Sequence, residues 1–223
     1  MMTNSKTFNR TQFEQALIQK GFSIIAGVDE VGRGPLAGPM VTAAVAFKLE
    51  DLQQISQDKE VNKLFGKIKD SKILSEKLRN ELDHFIRQTA YAYHIETIDR
   101  EVIDQKGIST ATQIGFFNAV KNIPNYQHVL TDNFKINLIL ESKQTNIVKG
   151  DNLSISIGAA SIIAKVFRDE IMVKYAEKYP QYGFDKHKGY GTKQHLEAIY
   201  KHGVCEIHRK SFEPIKTILS TRA

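Results

Sequence analysis

The 223-residue chain has a single cysteine, Cys205. An intrachain disulfide is therefore excluded, which suits a reducing compartment. Nothing beside Cys205 forms a nucleophile pattern of distinctive spacing, so a buried, inert thiol is expected. Histidine and cysteine nowhere cluster at zinc-ligand spacing. Long hydrophobic runs are missing too. The most apolar stretch, residues 36–47, is too short and too interrupted to span a bilayer. Residues 1–9 are polar and lack the apolar core of a secretory signal. There is no internal repeat, low-complexity tract or Pro/Ser-rich linker. The expectation is a soluble, cytoplasmic monomer with no membrane association.

What is present is enough apolar material for a core, at 41% of residues, in a chain of one-domain length. The formal charge is +6. A basic excess of that size points toward a polyanionic partner such as nucleic acid, although basic proteins without one exist.

Periodicity and punctuation set the expected elements. A helix is expected over 11–20, with Thr11 and Glu14 as a capping box, then a strand over 23–30 and an antiparallel neighbour over 40–47. Residues 50–61 read as either a weak helix or a loop. Ser75 caps a helix to about residue 88, and a strand covers 91–98. Helices over 99–105 and 109–120 are broken by Gly107. Short strands follow at 129–131 and 145–148. The longest helix spans 154–179 and is halted by Pro180, and further helices cover 192–202 and 213–219. Strands early and helices interleaved and then dominant indicate an α/β layered domain.

The first strand ends in Asp29-Glu30 and turns through Gly32, Gly34 and Pro35. Two acids where a core strand runs out are costly to bury unless something positive neutralises them. In regular strand geometry they face opposite sides, so convergence on one site needs a bend at the turn. Solvated turn acids are the plain alternative. Asp132 also follows a short apolar strand, where taken alone a cap or turn role is the more ordinary explanation. Ser161, Lys165 and Asp169 share one helix face, and a simple Lys165–Asp169 ion pair would explain that pattern. Taken together, the acids supply oxygen-only donors from two strand ends and a helix, which suit Mg²⁺ or Mn²⁺ rather than Zn²⁺. Two such ions about 3.5–4 Å apart activate water in phosphodiester hydrolysis.

The glycine turn does not fit a dinucleotide or phosphate-binding loop. Pro35, Pro39 and a β-branched strand follow where a helix is required. Glycines at 32 and 34 do allow close approach of a ligand to the backbone.

An ordered series of motifs resembles the type 2 ribonucleases H, in particular the ribonuclease HII branch. It comprises Asp29-Glu30-Val31-Gly32-Arg33-Gly34-Pro35-Leu36-Ala37-Gly38-Pro39, Asp70-Ser71-Lys72 and Lys149-Gly150-Asp151. Ala159-Ala160-Ser161-Ile162-Ile163-Ala164-Lys165-Val166 with Arg168-Asp169 continues it. Tyr182-Gly183-Phe184, His187-Lys188-Gly189-Tyr190-Gly191-Thr192 with His195, and His208-Arg209 with Ser211-Phe212 complete it. The resemblance implies a ribonuclease H-like mixed sheet flanked by helices, with a catalytic domain over 1–178 and a helical C-terminal extension over 179–223 packed on it as one functional unit. It implies Asp29, Glu30, Asp132 and Asp169 as metal-binding carboxylates for Mn²⁺ or Mg²⁺. It further implies cleavage on the 5′ side of ribonucleotides embedded in duplex DNA, and of RNA in RNA–DNA hybrids, leaving 3′-hydroxyl and 5′-phosphate ends. Such an activity would remove misincorporated ribonucleotides.

By the same resemblance, the Gly32-Arg33-Gly34 backbone and Tyr190 would recognise the 2′-hydroxyl, the group that separates RNA from DNA. Lys72, Lys165 and Lys188 lie in matched motifs and are the expected phosphate contacts among two basic groups, Lys63/Lys67/Lys69/Lys72 and Lys186/Lys188/Lys193. His187 and His195 could assist positioning or simply be core or surface histidines. Two positions depart from the pattern. Asn133 stands where glycine is common, and Leu153 where lysine is frequent. The last seven residues show no clamp-binding motif. The rival reading is a catalytically silent nucleic-acid-binding protein on this scaffold.

Overall fold

The computed structural model describes residues 10–48, 59–68 and 71–221. Lys69 and Asp70, and most of the ambiguous 50–61 stretch, lie outside the described residues. Helix α1 (Gln12–Gln19) leads into β1 (Ile24–Val31) and β2 (Met40–Lys48), the two β-branched and alanine-rich runs. Short helix α2 (Lys59–Phe65) precedes α3 (Glu76–Thr89), whose N-cap Ser75 accepts the Leu78 N–H. Strand β3 (Ala92–Ile98) follows, then α4 (Arg100–Lys121), which kinks at Gly107 as expected. Next come β4 (His128–Asp132), β5 (Gln144–Ile147), the one-turn α5 (Gly150–Leu153) and the long α6 (Ile155–Lys178). The chain closes with α7 (Phe184–His187), α8 (Lys193–His202) and α9 (Ile215–Thr221). The one-turn helices α5 and α7 lie below the length that periodicity detects.

The sheet order is β3-β2-β1-β4-β5. β1 pairs antiparallel with β2 and parallel with β4, and β4 runs parallel to β5. One face packs on α6 and α3 through Val41, Val45, Phe47, Leu82, Ile86 and Ile163. The other packs on α4 through Ala26, Val28, Phe116 and Val120. The sheet is thus sandwiched between helices, as an α/β layered domain requires. At Gly27 a β-carbon would stand 2.2 Å from the Ser156 carbonyl carbon, so only glycine lets α6 lie this close to β1. The C-terminal helices share a core of Tyr182, Phe184, Ile199 and Ile215 with Leu36 and Ala37 of the glycine turn and Met172 of α6. Among the described residues no helix is long and apolar enough to cross a membrane.

The expected capping box at α1 does not form. Glu14 is fully buried and turns away from its own helix to α6, where Oε1 accepts from Ser154 Oγ at 2.6 Å and from the Ser156 N–H at 3.1 Å. It caps a helix 140 residues downstream, a partner that local spacing cannot reveal.

Candidate active site

The β1–β4 ladder closes at Val28↔Thr131, so Asp29 and Asp132 are the first residues beyond the last pair of these two parallel strands. The expected bend at the acids is absent. β1 stays paired with β2 through Glu30↔Thr42 and Val31↔Val41, and the turn starts only at Gly32 with φ +90°. Beyond that pair β4 no longer flanks β1, and the acids of the two strands lie near enough to repel one another. Asp29 is buried and accepts the Glu30 N–H on Oδ1 at 2.8 Å and a hydrogen bond from Ser161 of α6. Ser161 Oγ is in turn 3.0 Å from Ser71 Oγ.

Burial, and then the neighbouring Glu30 and Asp132 charges, hold the Asp29 carboxyl well above its ordinary range. Burial and Asp132 likewise push Glu30 up to about 7, against the opposing pull of Arg33 and Lys72. Glu30 Oε1 lies 3.7 Å from Arg33, while buried Oε2 has no hydrogen-bond partner. The Arg33 guanidinium also stacks 4.2 Å over the Phe134 ring, beside Asp132. Asp132 Oδ1 accepts the Gly150 N–H at 2.6 Å, one residue before Asp151, whose Oδ1 accepts from Asn152 Nδ2 at 3.1 Å. Asn133 adopts φ +57°, a left-handed conformation that asparagine tolerates nearly as well as glycine, so the departure at this position keeps the turn.

Asp169 stands elsewhere. Gly27 lies against Ser156 and Gly32 against Arg168, so β1 and α6 run in step, with Asp29 level with Ser161. Asp169 is eight residues beyond Ser161, about 12 Å along the helix axis at 1.5 Å per residue. Its carboxylate is held by Lys165 at 2.7 Å and approached by Arg79 at 3.9 Å. Arg79 also donates to the carbonyls of Ser71 and Leu74, fixing the turn that carries Lys72 toward Glu30. Asp169, Arg79, Lys174 and Lys188 line a groove of about 390 Å³ between α3 and α6.

The donors near Asp29 are all oxygens, the Glu30 and Asp132 carboxylates and the Ser161 hydroxyl. Together with the unpartnered Glu30 Oε2 and the raised acids, they fit a hard divalent cation, whose charge would remove the mutual repulsion. Among the described residues, no three His, Cys, Asp or Glu side chains already converge closely enough to hold a metal ion.

The glycine turn is built from its carbonyls. Arg209, fully buried, donates to the carbonyls of Gly32 at 2.6 Å, Arg33 at 2.9 Å and Gly38 at 3.0 Å. Arg168, equally buried, donates to those of Pro39 at 2.9 Å, Ala37 at 3.2 Å and Lys188 at 2.9 Å. Burial pushes Arg168 down to about 10 and Arg209 to about 9, so both remain charged at neutral pH. The Lys188 contact and the Leu36 N–H to Gly189 carbonyl bond (2.9 Å) tie the Tyr190 loop to the turn. Tyr190 is half-exposed, its ring 6.0 Å from the Arg168 guanidinium. Both arginines sit in the motifs quoted above, but nothing in the sequence marks a guanidinium as serving backbone carbonyls. Lys188 donates its ammonium to the Asp185 carbonyl.

Two buried imidazoles hold the far side of the Tyr190 loop. His195 Nδ1 is 2.9 Å from the Tyr190 carbonyl, so it carries the proton and its Nε2 is an acceptor. His208 Nε2, 3.1 Å from His195 Nε2, must then donate, leaving His208 Nδ1 to accept the Cys205 N–H at 2.8 Å. Burial pushes both rings down to about 4, so they stay neutral at physiological pH. The stability these neutral rings supply is complete above the ordinary histidine range near 6.5 and is lost as pH falls through about 4. Long-range ¹H–¹⁵N spectra should show a protonated Nδ1 on His195 and a protonated Nε2 on His208, unchanged from pH 8 to about 5. The reverse tautomers would contradict this network. Burial also pushes the Cys205 thiol up to about 11, in line with an inert role.

The family model described as Ribonuclease HII matches residues 26–215. A ribonuclease HII of Bacillus cereus is 47% identical over 215 residues, 96% of this chain and 78% of that protein. One from Acholeplasma laidlawii is 47% identical over 214 residues, 96% of this chain and 98% of its own length. Among solved structures, the ribonuclease H2 of Pyrococcus horikoshii superposes with a TM-score of 0.72 at 23% identity, covering 89% of this chain and 98% of its own. The RNase HII of Archaeoglobus fulgidus, in its complex with PCNA, gives 0.68 at 25% identity, covering 85% and 95%. With the family model matching residues 26–215 and relatives 47% identical over 96% of the chain, the chain belongs to the ribonuclease HII family.

Proposed function

We propose that this endoribonuclease hydrolyses the phosphodiester on the 5′ side of a ribonucleotide within duplex DNA, as well as RNA in RNA–DNA hybrids. The observation that carries the reading is the mutual repulsion of buried Asp29 with half-buried Glu30 and Asp132, with Glu30 Oε2 unpartnered. A catalytically silent binder would gain nothing from acids aimed at a phosphate. Asp29, Glu30 and Asp132 are assigned as divalent-cation ligands. Asp151, which follows the Gly150 N–H that Asp132 accepts, is assigned as a fourth in preference to Asp169, whose carboxylate is paired with Lys165. Bound Mg²⁺ or Mn²⁺ supplies Lewis acidity and a nucleophilic water at neutral pH.

The chain's own groups orient and select. Ser161, backed by Ser71, holds the Asp29 carboxylate in place. The Gly32-Arg33-Gly34 backbone and the Tyr190 ring take the ribose, and Lys72 and Lys188 take flanking phosphates. Lys165 is committed to Asp169 instead. Removal of ribonucleotides from DNA is the corresponding cellular role.

A duplex with one ribonucleotide, incubated with Mg²⁺ or Mn²⁺, should be cut once to leave 3′-hydroxyl and 5′-phosphate ends. Tyr190→Ala should lower that cleavage about tenfold or more, in keeping with a lost stacking contact of about 1–3 kcal/mol. The Mg²⁺ concentration for half-maximal rate should stay unchanged. An uncut duplex in both metals sinks the reading, and an unaltered rate with Tyr190→Ala sinks the tyrosine's part in it.

A further inference from the structure

Five carbonyls of residues 32–39 end on two guanidiniums that have no carboxylate among these contacts. A buried charge whose hydrogen bonds all go to carbonyl dipoles is an expensive way to stabilise a loop. Its geometry has a consequence for the opposite side of the turn. In a trans peptide the C=O of one residue and the N–H of the next point in opposite directions. With the Gly32 and Arg33 carbonyls drawn inward to Arg209, the N–H groups of Arg33 and Gly34 are turned outward, side by side. The outward side is open at Gly34, where a β-carbon would meet no atom within 4 Å.

We propose that Arg209 is a positioning residue for ribose selection: its fork turns the Arg33 and Gly34 amides outward as paired donors to a sugar hydroxyl. The inference rests on the proposed reading of the glycine turn and adds the group that sets it. Arg209 lies 177 residues from Gly32 and belongs to the C-terminal extension, so the extension becomes part of the specificity apparatus. The Leu36 carbonyl accepts the Arg209 N–H at 2.8 Å and the Ile207 carbonyl accepts the Gly38 N–H at 2.9 Å, latching the two segments together. A lysine at 209 would keep the charge but could not hold three carbonyls in one plane.

The test uses two duplexes that differ only in one ribonucleotide, with binding measured without divalent metal so that nothing is cut. The wild-type protein should prefer the ribonucleotide duplex. Arg209→Lys should lose about five- to thirtyfold of that preference, the equivalent of one or two hydrogen bonds. Affinity for the all-DNA duplex should stay within about twofold, because phosphate contacts set it. A fold defect would instead weaken both. In the wild type, amide exchange at Arg33 and Gly34 should slow with the ribonucleotide duplex and not with the all-DNA duplex. Equal protection by the two duplexes, or a folded Arg209→Lys that keeps the full preference, overturns the inference. Should Arg209→Lys not fold, the wild-type amide result decides alone. A wild-type protein that neither prefers nor cuts the ribonucleotide duplex would count against the proposed function itself.

Discussion

Asp29→Asn should abolish cleavage and at the same time make the metal-free protein more stable. The carboxylate is buried with Glu30 and Asp132 as its nearest like charges. An asparagine keeps the shape and the hydrogen bond from Ser161 while removing one of the repelling charges. A relief of about 1 kcal/mol would raise the melting temperature of a domain this size by roughly 2–4 °C. The same change removes an anionic ligand worth several kcal/mol of charge stabilisation in the transition state, on the order of 10³-fold in rate. Activity down and stability up is the signature of a site whose groups are arranged for a ligand rather than for the fold. A variant that loses activity and melts lower would mark Asp29 as structural.

The pH dependence has a definite sign. The folded-state value of Glu30 is raised to about 7 from an ordinary 4.5. Its contribution to stability is therefore complete below about 4.5 and is lost as pH rises through about 7. Metal-free protein should gain stability from this group on acidification through that window, against the opposite trend from His195 and His208. Added Mg²⁺ or Mn²⁺ should flatten the Glu30 part. The placement of Asp132 and Asp169 predicts a further ordering. Asp151→Asn should reduce the rate far more than Asp169→Asn, whose side chain is already neutralised by Lys165 and Arg79. The reverse order would restore Asp169 as the fourth ligand.

Much of this architecture was readable because it depends on local chemistry. Ser75, Ser154 and Thr192 cap α3, α6 and α8 through bonds to residues three positions on, and Gly107 breaks α4 where expected. Asp29 and Asp132 were legible as acids late in apolar strands, because an apolar run that gives way to a carboxylate is visible in local sequence. What local reading missed were partners distant in sequence. Glu14 looked like a capping-box residue and instead caps α6. Asp169 shared a helix face with Ser161, but a shared face does not fix the distance along the axis. Arg168 and Arg209 were visible only as motif letters, because their partners are backbone carbonyls up to 177 residues away.

Two alanine substitutions two residues apart should have opposite profiles. At Gly32, φ is +90° and an added β-carbon would stand 2.2 Å from Arg168 Nε and 2.9 Å from the Pro39 carbonyl. Gly32→Ala is therefore strained in backbone and clashes with the guanidinium that organises the turn. It should lower stability by about 2 kcal/mol or more and impair every substrate alike. Gly34 has neither constraint, since its φ lies outside the left-handed region and a β-carbon there meets nothing within 4 Å. Gly34→Ala should leave the melting temperature unchanged. If the turn approaches ribose as proposed, the added methyl occupies the space the sugar needs, and cleavage at a single ribonucleotide should fall about 10²-fold, as expected for a misplaced reacting group. The free protein supplies no reason for glycine at 34, so a loss of cleavage in Gly34→Ala would report on what binds there. A Gly34→Ala protein that cuts the ribonucleotide duplex at the wild-type rate would show that the ribose does not approach the turn at this residue.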